Sequence, residues 1–200
     1  MTTRDQIIET ADRLFYHGGF EATSFADIAE AVGISRGNFY HHFKTKDAIL
    51  EAVVTLRLAR TRAMLEAWHT EAPDPRGRIR AFIHMLIANR AQIMAHGCPV
   101  GTLCLELAKL DHAAQHRAAE IFGLYRDWLA GQFHALGHGA RAEALALHLL
   151  GWSQGTAVLI AALRDEAFLQ REVAGIEAWL EGLPLSPNTP HKDPACSSPS

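Results

Sequence analysis

Apolar residues recur three and four positions apart along most of this chain, the spacing of amphipathic helices, and no sustained alternation of the strand type is present. The chain is therefore expected to be all-α. Ile7, Ile8, Ala11, Leu14 and Phe15 mark one face of a first helix over about 4–17, stopped by Gly18-Gly19. A second, short helix follows Thr23 and Ser24. Ser24 with Asp27 fits a capping box in which Asp replaces Glu, and Phe25, Ile28, Ala29 and Val32 form the inner face. Gly33 stands where a left-handed cap belongs, Ile34 follows as an apolar turn residue, and Ser35 caps a third helix that reaches about His42. Thr45 caps a long fourth helix over about 46–69. After a break at 71–75, helices are expected over about 76–94, 99–109, 112–136, 140–164 and 167–181, with joints at Gly97, Pro99, Gly137, Gly139 and Asp165-Glu166. From Pro184 on, Pro and Ser dominate with little to bury, so 184–200 reads as a disordered tail.

Two segments depart from the ordinary amphipathic pattern. Residues 34–46, ISRGNFYHHFKTK, are aromatic and cationic together. Phe39 and Phe43 share one helical face while Arg36 and Tyr40 share another, so one side can anchor the segment and the other can offer donors to an acidic partner. Residues 144–163 carry no formal charge and are long enough to cross a bilayer, but His148, Ser153, Gln154 and Thr156 interrupt them. They read as a helix buried nearly all round, which points to a subunit interface rather than a membrane.

The totals narrow the possibilities. Of 200 residues, 48% are hydrophobic and 20% charged, and the net charge is −3, so no global positive field draws the chain to nucleic acid; any such binding rests on a local patch. Cys98, Cys104 and Cys196 form no CxxC, and an odd count argues against a disulfide framework. The N-terminal residues turn amphipathic at once, without the apolar core of a signal peptide, so a cytoplasmic protein is expected.

A short helix, a tight turn at Gly33-Ile34-Ser35 and a capped third helix make the layout of a helix-turn-helix. The segment TSFADIAEAVGISRGNFYHHFKTKDAILEAV strongly resembles the DNA-binding domain of the TetR family of transcriptional repressors. The matching positions are Thr23, Ile28-Ala29, Gly33-Ile34-Ser35, Gly37, Tyr40, Phe43 and Lys46, within a resemblance covering about 4–55. It implies the nine-helix TetR-like architecture: a three-helix DNA-binding domain over 1–50 and an effector-binding and dimerisation domain over 51–183. It also implies a recognition helix in which Arg36, Asn38, Tyr40 and His41 face the major groove, beside the capping residues Ser24 and Ser35. Arg36 is the candidate for reading a guanine, and Gly37 lets the backbone approach the bases. Tyr40, Lys46, Thr23 and His42 are implied contacts to backbone phosphates. One recognition helix reads few base pairs, so a homodimer on a palindromic operator is expected, formed through helices near 144–163 and 167–181. Gly151, Gly155, Ala157 and Ala161 would allow close approach, and Phe168, Ile176, Trp179 and Leu180 belong to the second interface helix.

Family members respond to a small molecule held in the C-terminal domain, here expected to be apolar or aromatic. Candidate lining residues are Leu65, Trp68, Phe82, Met85, Leu86, Phe122, Tyr125 and Trp152, together with Cys98. The segment from His96 through Cys98 and Gly101 to Glu106-Leu107 resembles a subgroup that includes electrophile-responsive repressors. Cys98 stands just ahead of a helix opened by Pro99, a place that stabilises thiolate, so a thiol-based sensor is the alternative reading. An enzyme with Cys98 as nucleophile finds no cofactor fingerprint to support it, and a helical adaptor that binds protein rather than DNA is the remaining alternative. His112 with His116 and His134 with His138 have chelating spacing, but no Cys or carboxylate set completes a site, so no metal and no cofactor are expected.

Overall fold

The structure, a computed structural model, describes residues 1–184; the expected tail beyond them lies outside the described residues. Among these the protein is all helical. The elements are α1 (Thr3–Gly18), α2 (Phe25–Val32), α3 (Arg36–His42), α4 (Lys46–Glu71), α5 (Pro75–Ala88), α6 (Arg90–His96), α7 (Pro99–Lys109), α8 (Gln115–Ala135), a 3-10 turn at Gly139–Arg141, α9 (Ala142–Leu163) and α10 (Glu166–Gly182). The nine expected helices are present, with one difference: the segment over 76–94 is broken at Asn89. That residue ends α5 and starts α6, and both its backbone N–H and its side-chain amide donate to the Met85 carbonyl, at 3.0 and 2.9 Å, which closes the last turn of α5.

The N-terminal helices start where the caps predict. Ser24 Oγ accepts from the Asp27 N–H and Asp27 Oδ2 from the Ser24 N–H, at 3.2 and 2.7 Å, which closes the capping box. Gly33 has φ +76°, and the N–H groups of Gly33 and Ile34 both reach the Ala29 carbonyl, so α2 ends in a Schellman turn that a residue with a Cβ would strain. Ser35 and Thr45 cap α3 and α4 through the N–H groups of Asn38 and Ala48.

Helix α3 has seven residues, too few to stand alone. Phe39 and Phe43, 1% and 3% exposed, lock it into a core with Ile7, Ala11, Phe15, Phe20, Ile28, Ile49 and Leu50. α1 packs on α2 and α4 and also touches α7; α4 runs on to pack against α8, and α8 with α9 forms the most extensive helix pair. α10 closes the far side against α5 and α9. Helix α9 with its leading turn is long and apolar enough by length and composition to cross a membrane, yet it packs on α5, α6, α8 and α10 within the helical body.

Candidate nucleic-acid interface and effector cavity

With Phe39 and Phe43 turned inward, the opposite side of α3 is bare. Ser35, Arg36, Gly37, Asn38, Tyr40 and His41 are exposed, and His42 is half-buried. Tyr40 leans edge-on against Phe25, with ring centroids 5.5 Å apart, which holds its hydroxyl end out while supporting its ring. Lys44 Nζ donates to the Tyr40 carbonyl at the end of the helix. Between the start of α2 and α3 lies a cleft of about 210 Å³ lined by Ser24, Arg36 and Tyr40, where the exposed N-terminus of α2 meets the side chains of α3.

Two of the phosphate contacts implied above face the other way. Thr23 is 6% exposed and its hydroxyl donates to the Gly19 carbonyl at 2.7 Å. Lys46 Nζ donates to the carbonyls of Phe20 and Glu21, both at 3.1 Å, and lies 4.5 Å from the centre of the Phe20 ring. The physical reason is the loop between α1 and α2, whose carbonyls have no helix to bond within; Thr23 and Lys46 supply the donors.

The same loop is held from the C-terminal body. Glu106 on α7 accepts from the N–H groups of Phe20 and Glu21, each at 2.9 Å, one with each carboxylate oxygen. Tyr16 donates to the carbonyls of Gly97 and Gln92 at 2.8 and 3.1 Å, and burial pushes its hydroxyl up to about 12. The His17 and His96 rings stack 4.2 Å apart. Arg57 on α4, 8% exposed, donates through Nε to Asp12 Oδ1 at 2.6 Å and through Nη1 to the Pro99 carbonyl at 2.5 Å, so it ties α1, α4 and α7 together. None of these joints was among the sequence candidates, although Glu106 had stood out in the segment after Cys98.

Beside the Arg57 joint opens a cavity of about 680 Å³. Met85, Leu86, Cys98, Phe122 and Tyr125 line it, as the sequence suggested. Leu65, Trp68, Phe82 and Trp152 do not. Leu65 and Phe82 are buried in the packed core, Phe82 with its ring edge-on to Tyr125, while Trp68 pairs with Trp128 and half-buried Trp152 lies outside the lining. The pattern of apolar residues shows which side chains turn inward but not which of them border empty space. It also missed the wall from α1 and α4: Glu9, Asp12, Arg13, Tyr16, Arg57 and Arg60. Burial pushes Tyr125 up to about 12, so its hydroxyl stays protonated in the physiological range.

Cys98 caps α7 by accepting from the Gly101 N–H through Sγ at 3.4 Å. Burial pushes the Cys104 thiol up to about 11, which keeps it protonated and unreactive. No group of three or more His, Cys, Asp or Glu side chains that would hold a metal exists among the described residues. His112 instead braces the α8 approach, with Nδ1 accepting from the Ala114 N–H at 3.0 Å and Nε2 3.4 Å from Asp47. His138 is buried, and desolvation lowers its pKa, with Arg141 and Arg76 adding to the effect.

Helix α9 is not buried all round. Leu145, Leu149, Ser153, Thr156 and Ile160 turn inward, while Leu147, Val158, Leu159 and Leu163 are 50, 66, 45 and 60% exposed. Gly151 and Gly155 lie on that bare side, whereas Ala157 is buried within its own chain. On α10, Ile176 and Leu180 likewise serve the internal core, leaving Ala174, Gly175 and Ala178 outside.

A capped helix-turn-helix with a bare polar second helix, mounted on a larger helical body, is the architecture of a bacterial DNA-binding regulator. Residues 7–53 match the family model described as bacterial regulatory proteins, tetR family. Residues 75–174 match that of the LmrA/YxaF-like transcriptional regulator, C-terminal domain. The chain belongs to the TetR family of transcriptional regulators and is not an enzyme, which removes the reading of Cys98 as a catalytic nucleophile. Neither match is specific to an electrophile-responsive subgroup. A helix-turn-helix-type transcriptional regulator in the lacX 3' region of Lactococcus lactis is 25% identical over 167 residues, 82% of this chain and 85% of that protein. TtgR of Pseudomonas putida is 48% identical over 52 residues, 26% of this chain and 25% of that one. Crystal structures of TetR regulators from Legionella pneumophila and Cytophaga hutchinsonii share the fold. Their TM-scores are 0.78 and 0.80, at 23 and 19% identity, covering 90 and 92% of this chain and 96% of each of theirs.

Proposed function

We propose that the protein is a cytoplasmic, homodimeric repressor that binds a palindromic operator through α3 and releases it when a small molecule enters the cavity. Residues 1–50 form the DNA-binding unit and 51–183 the effector and dimer unit. The observation that carries this reading is the division of α3 into a sealed aromatic side and an exposed side of Arg36, Asn38, Tyr40 and His41. Arg36, with its bidentate fork, reads a guanine; Ser24, Tyr40 and His42 meet phosphates, and the buried Thr23 and half-buried Lys46 act by shaping the loop that aims α2. The bare stripe of α9 is covered by the same stripe of a second copy, since a two-fold axis makes such a face its own complement. Pairing also supplies the second recognition helix that a palindrome requires.

The test is a mobility shift on a duplex selected by the protein from a random pool. The double variant Arg36→Ala/Tyr40→Phe is expected to lose retention while sedimenting as the same dimer. Equal retention by variant and parent would overturn the contact assignment.

A further inference from the structure

The cavity borders α1 as well as the helices behind it, and where α1 meets α4 its lining has one more cation than anion. Five charged side chains line it: Glu9, Asp12 and Arg13 from α1, with Arg57 and Arg60 from α4. Three guanidiniums thus face two carboxylates, and both carboxylates are already engaged. Arg60 Nη2 holds Glu9 Oε1 and Oε2 at 2.5 and 2.7 Å, while Asp12 accepts from Arg57 at 2.6 Å and from Arg60 at 3.3 Å. Arg13 is exposed and forms no ion pair among the described residues. The remaining wall is mainly apolar, with Met64, Met85, Leu86, Phe122 and Leu150.

We propose that the effector is an amphipathic monoanion whose apolar body fills the cavity and whose charged head sits between Arg13 and Arg60 at the seam of α1 and α4. The proposal rests on the reading of this cavity as the effector site and adds the chemistry of its occupant. A cation placed at this end meets three guanidiniums and no free carboxylate. A neutral molecule leaves the charge excess as it stands. An anion satisfies Arg13 and competes with Glu9 for Arg60. The head therefore replaces the direct Glu9–Arg60 pair with an Arg13–head–Arg60 bridge, and since Glu9 and Arg13 both ride on α1, which shares its core with α2 and α3, the bridge favours a different position of α1 from the one the direct pair holds. That difference in affinity between two positions of α1 is what lets a ligand bias the recognition helix. The effector then acts on the DNA-binding unit by direct contact with its first helix.

The experiment is calorimetric titration of the full-length protein, without DNA, with 2-naphthoate, 2-naphthamide and 2-naphthylmethylammonium. The carboxylate is expected to bind about tenfold tighter than the amide, a gap that shrinks in high salt. In Arg13→Gln/Arg60→Gln the gap closes while the amide binds as before, which also shows that the variant is folded. The proposal is overturned if the amide or the ammonium matches the carboxylate, if the gap survives in the double variant, or if none of the three probes binds. Retention of the selected duplex without any probe is measured in parallel. Loss of retention in the unmodified protein sinks the repressor reading, while the carboxylate preference alone decides the ligand class.

Discussion

Helix α3 hides Phe39 and leaves Arg36, Asn38, Tyr40 and His41 bare; helix α9 hides Leu149, Ser153, Thr156 and Ile160 and leaves Leu147, Val158, Leu159 and Leu163 bare. Both are one-sided, and what lies on the open side separates their work. The polar face of α3 is well solvated in water and gains only when its donors meet a negatively charged surface of the right shape. The apolar face of α9 is unfavourable in water at about 25 cal/mol per Å² and gains from any dry cover of matching shape. On this reading α9 supplies the association that doubles the molecule, and α3 supplies the discrimination that the doubled molecule performs. α3 packs on α2, whereas α9 packs on α5, α6, α8 and α10, so each can be altered without touching the other.

Several substitutions break this contrast, and the largest effect is expected at α9. Val158→Asp adds a charge to a residue that is already exposed in the single chain, so folding is unaffected. In the pair it buries an unmatched carboxylate from each copy, costing about 3–5 kcal/mol. Sedimentation should show single chains with the helix content of the parent. Phe39→Ala attacks the hidden side of α3 and should lower stability by about 3–5 kcal/mol in thermal or denaturant unfolding, the usual cost of emptying a buried aromatic site. Arg36→Ala works on the open side of the same helix. It should leave the unfolding midpoint unchanged, weaken operator binding by about 1–3 kcal/mol and relax the preference at one base position.

Smaller effects come from the joints. Glu106→Gln replaces a carboxylate that accepts from two backbone N–H groups of the α1–α2 loop, and about 1.5 kcal/mol is expected from the loss of a charged acceptor. The smallest effect concerns pH. The backbone N–H of Ser24, and then its hydroxyl, hold the Asp27 carboxyl below its ordinary value. A carboxyl lowered by folding adds stability that is present above its unfolded pKa of about 4 and is lost as pH falls through the lowered folded value. Asp27→Asn should therefore lower stability slightly at neutral pH, where the contribution is fully present, and converge with the parent in acid, which flattens the acid limb of the unfolding curve.

Much of α1 to α4 was legible because the decisive signals are local. Ser24 with Asp27, Gly33, Ser35 and Thr45 each act within a few residues of where they stand, and Phe39 with Phe43 declares its face by spacing alone. What was not legible depends on partners far along the chain. Lys46 has the composition of a phosphate contact, and only the position of the Phe20 and Glu21 carbonyls turns it inward. Glu9, Asp12, Arg57 and Arg60 look like ordinary surface charges until α1 and α4 are laid side by side at the cavity. The break at Asn89 carries no Pro or Gly to announce it. The bare stripe of α9 was masked because Leu147, Val158 and Leu159 are as apolar as the residues that face inward.

In the proposed complex, two copies present α3 to neighbouring turns of one duplex. Selection of bound duplexes from a random pool, followed by sequencing, addresses it most directly. An enriched inverted repeat is expected, with half-site centres one helical turn apart, roughly 34–36 Å. Enrichment of a single asymmetric half-site, or of no sequence at all, would contradict it.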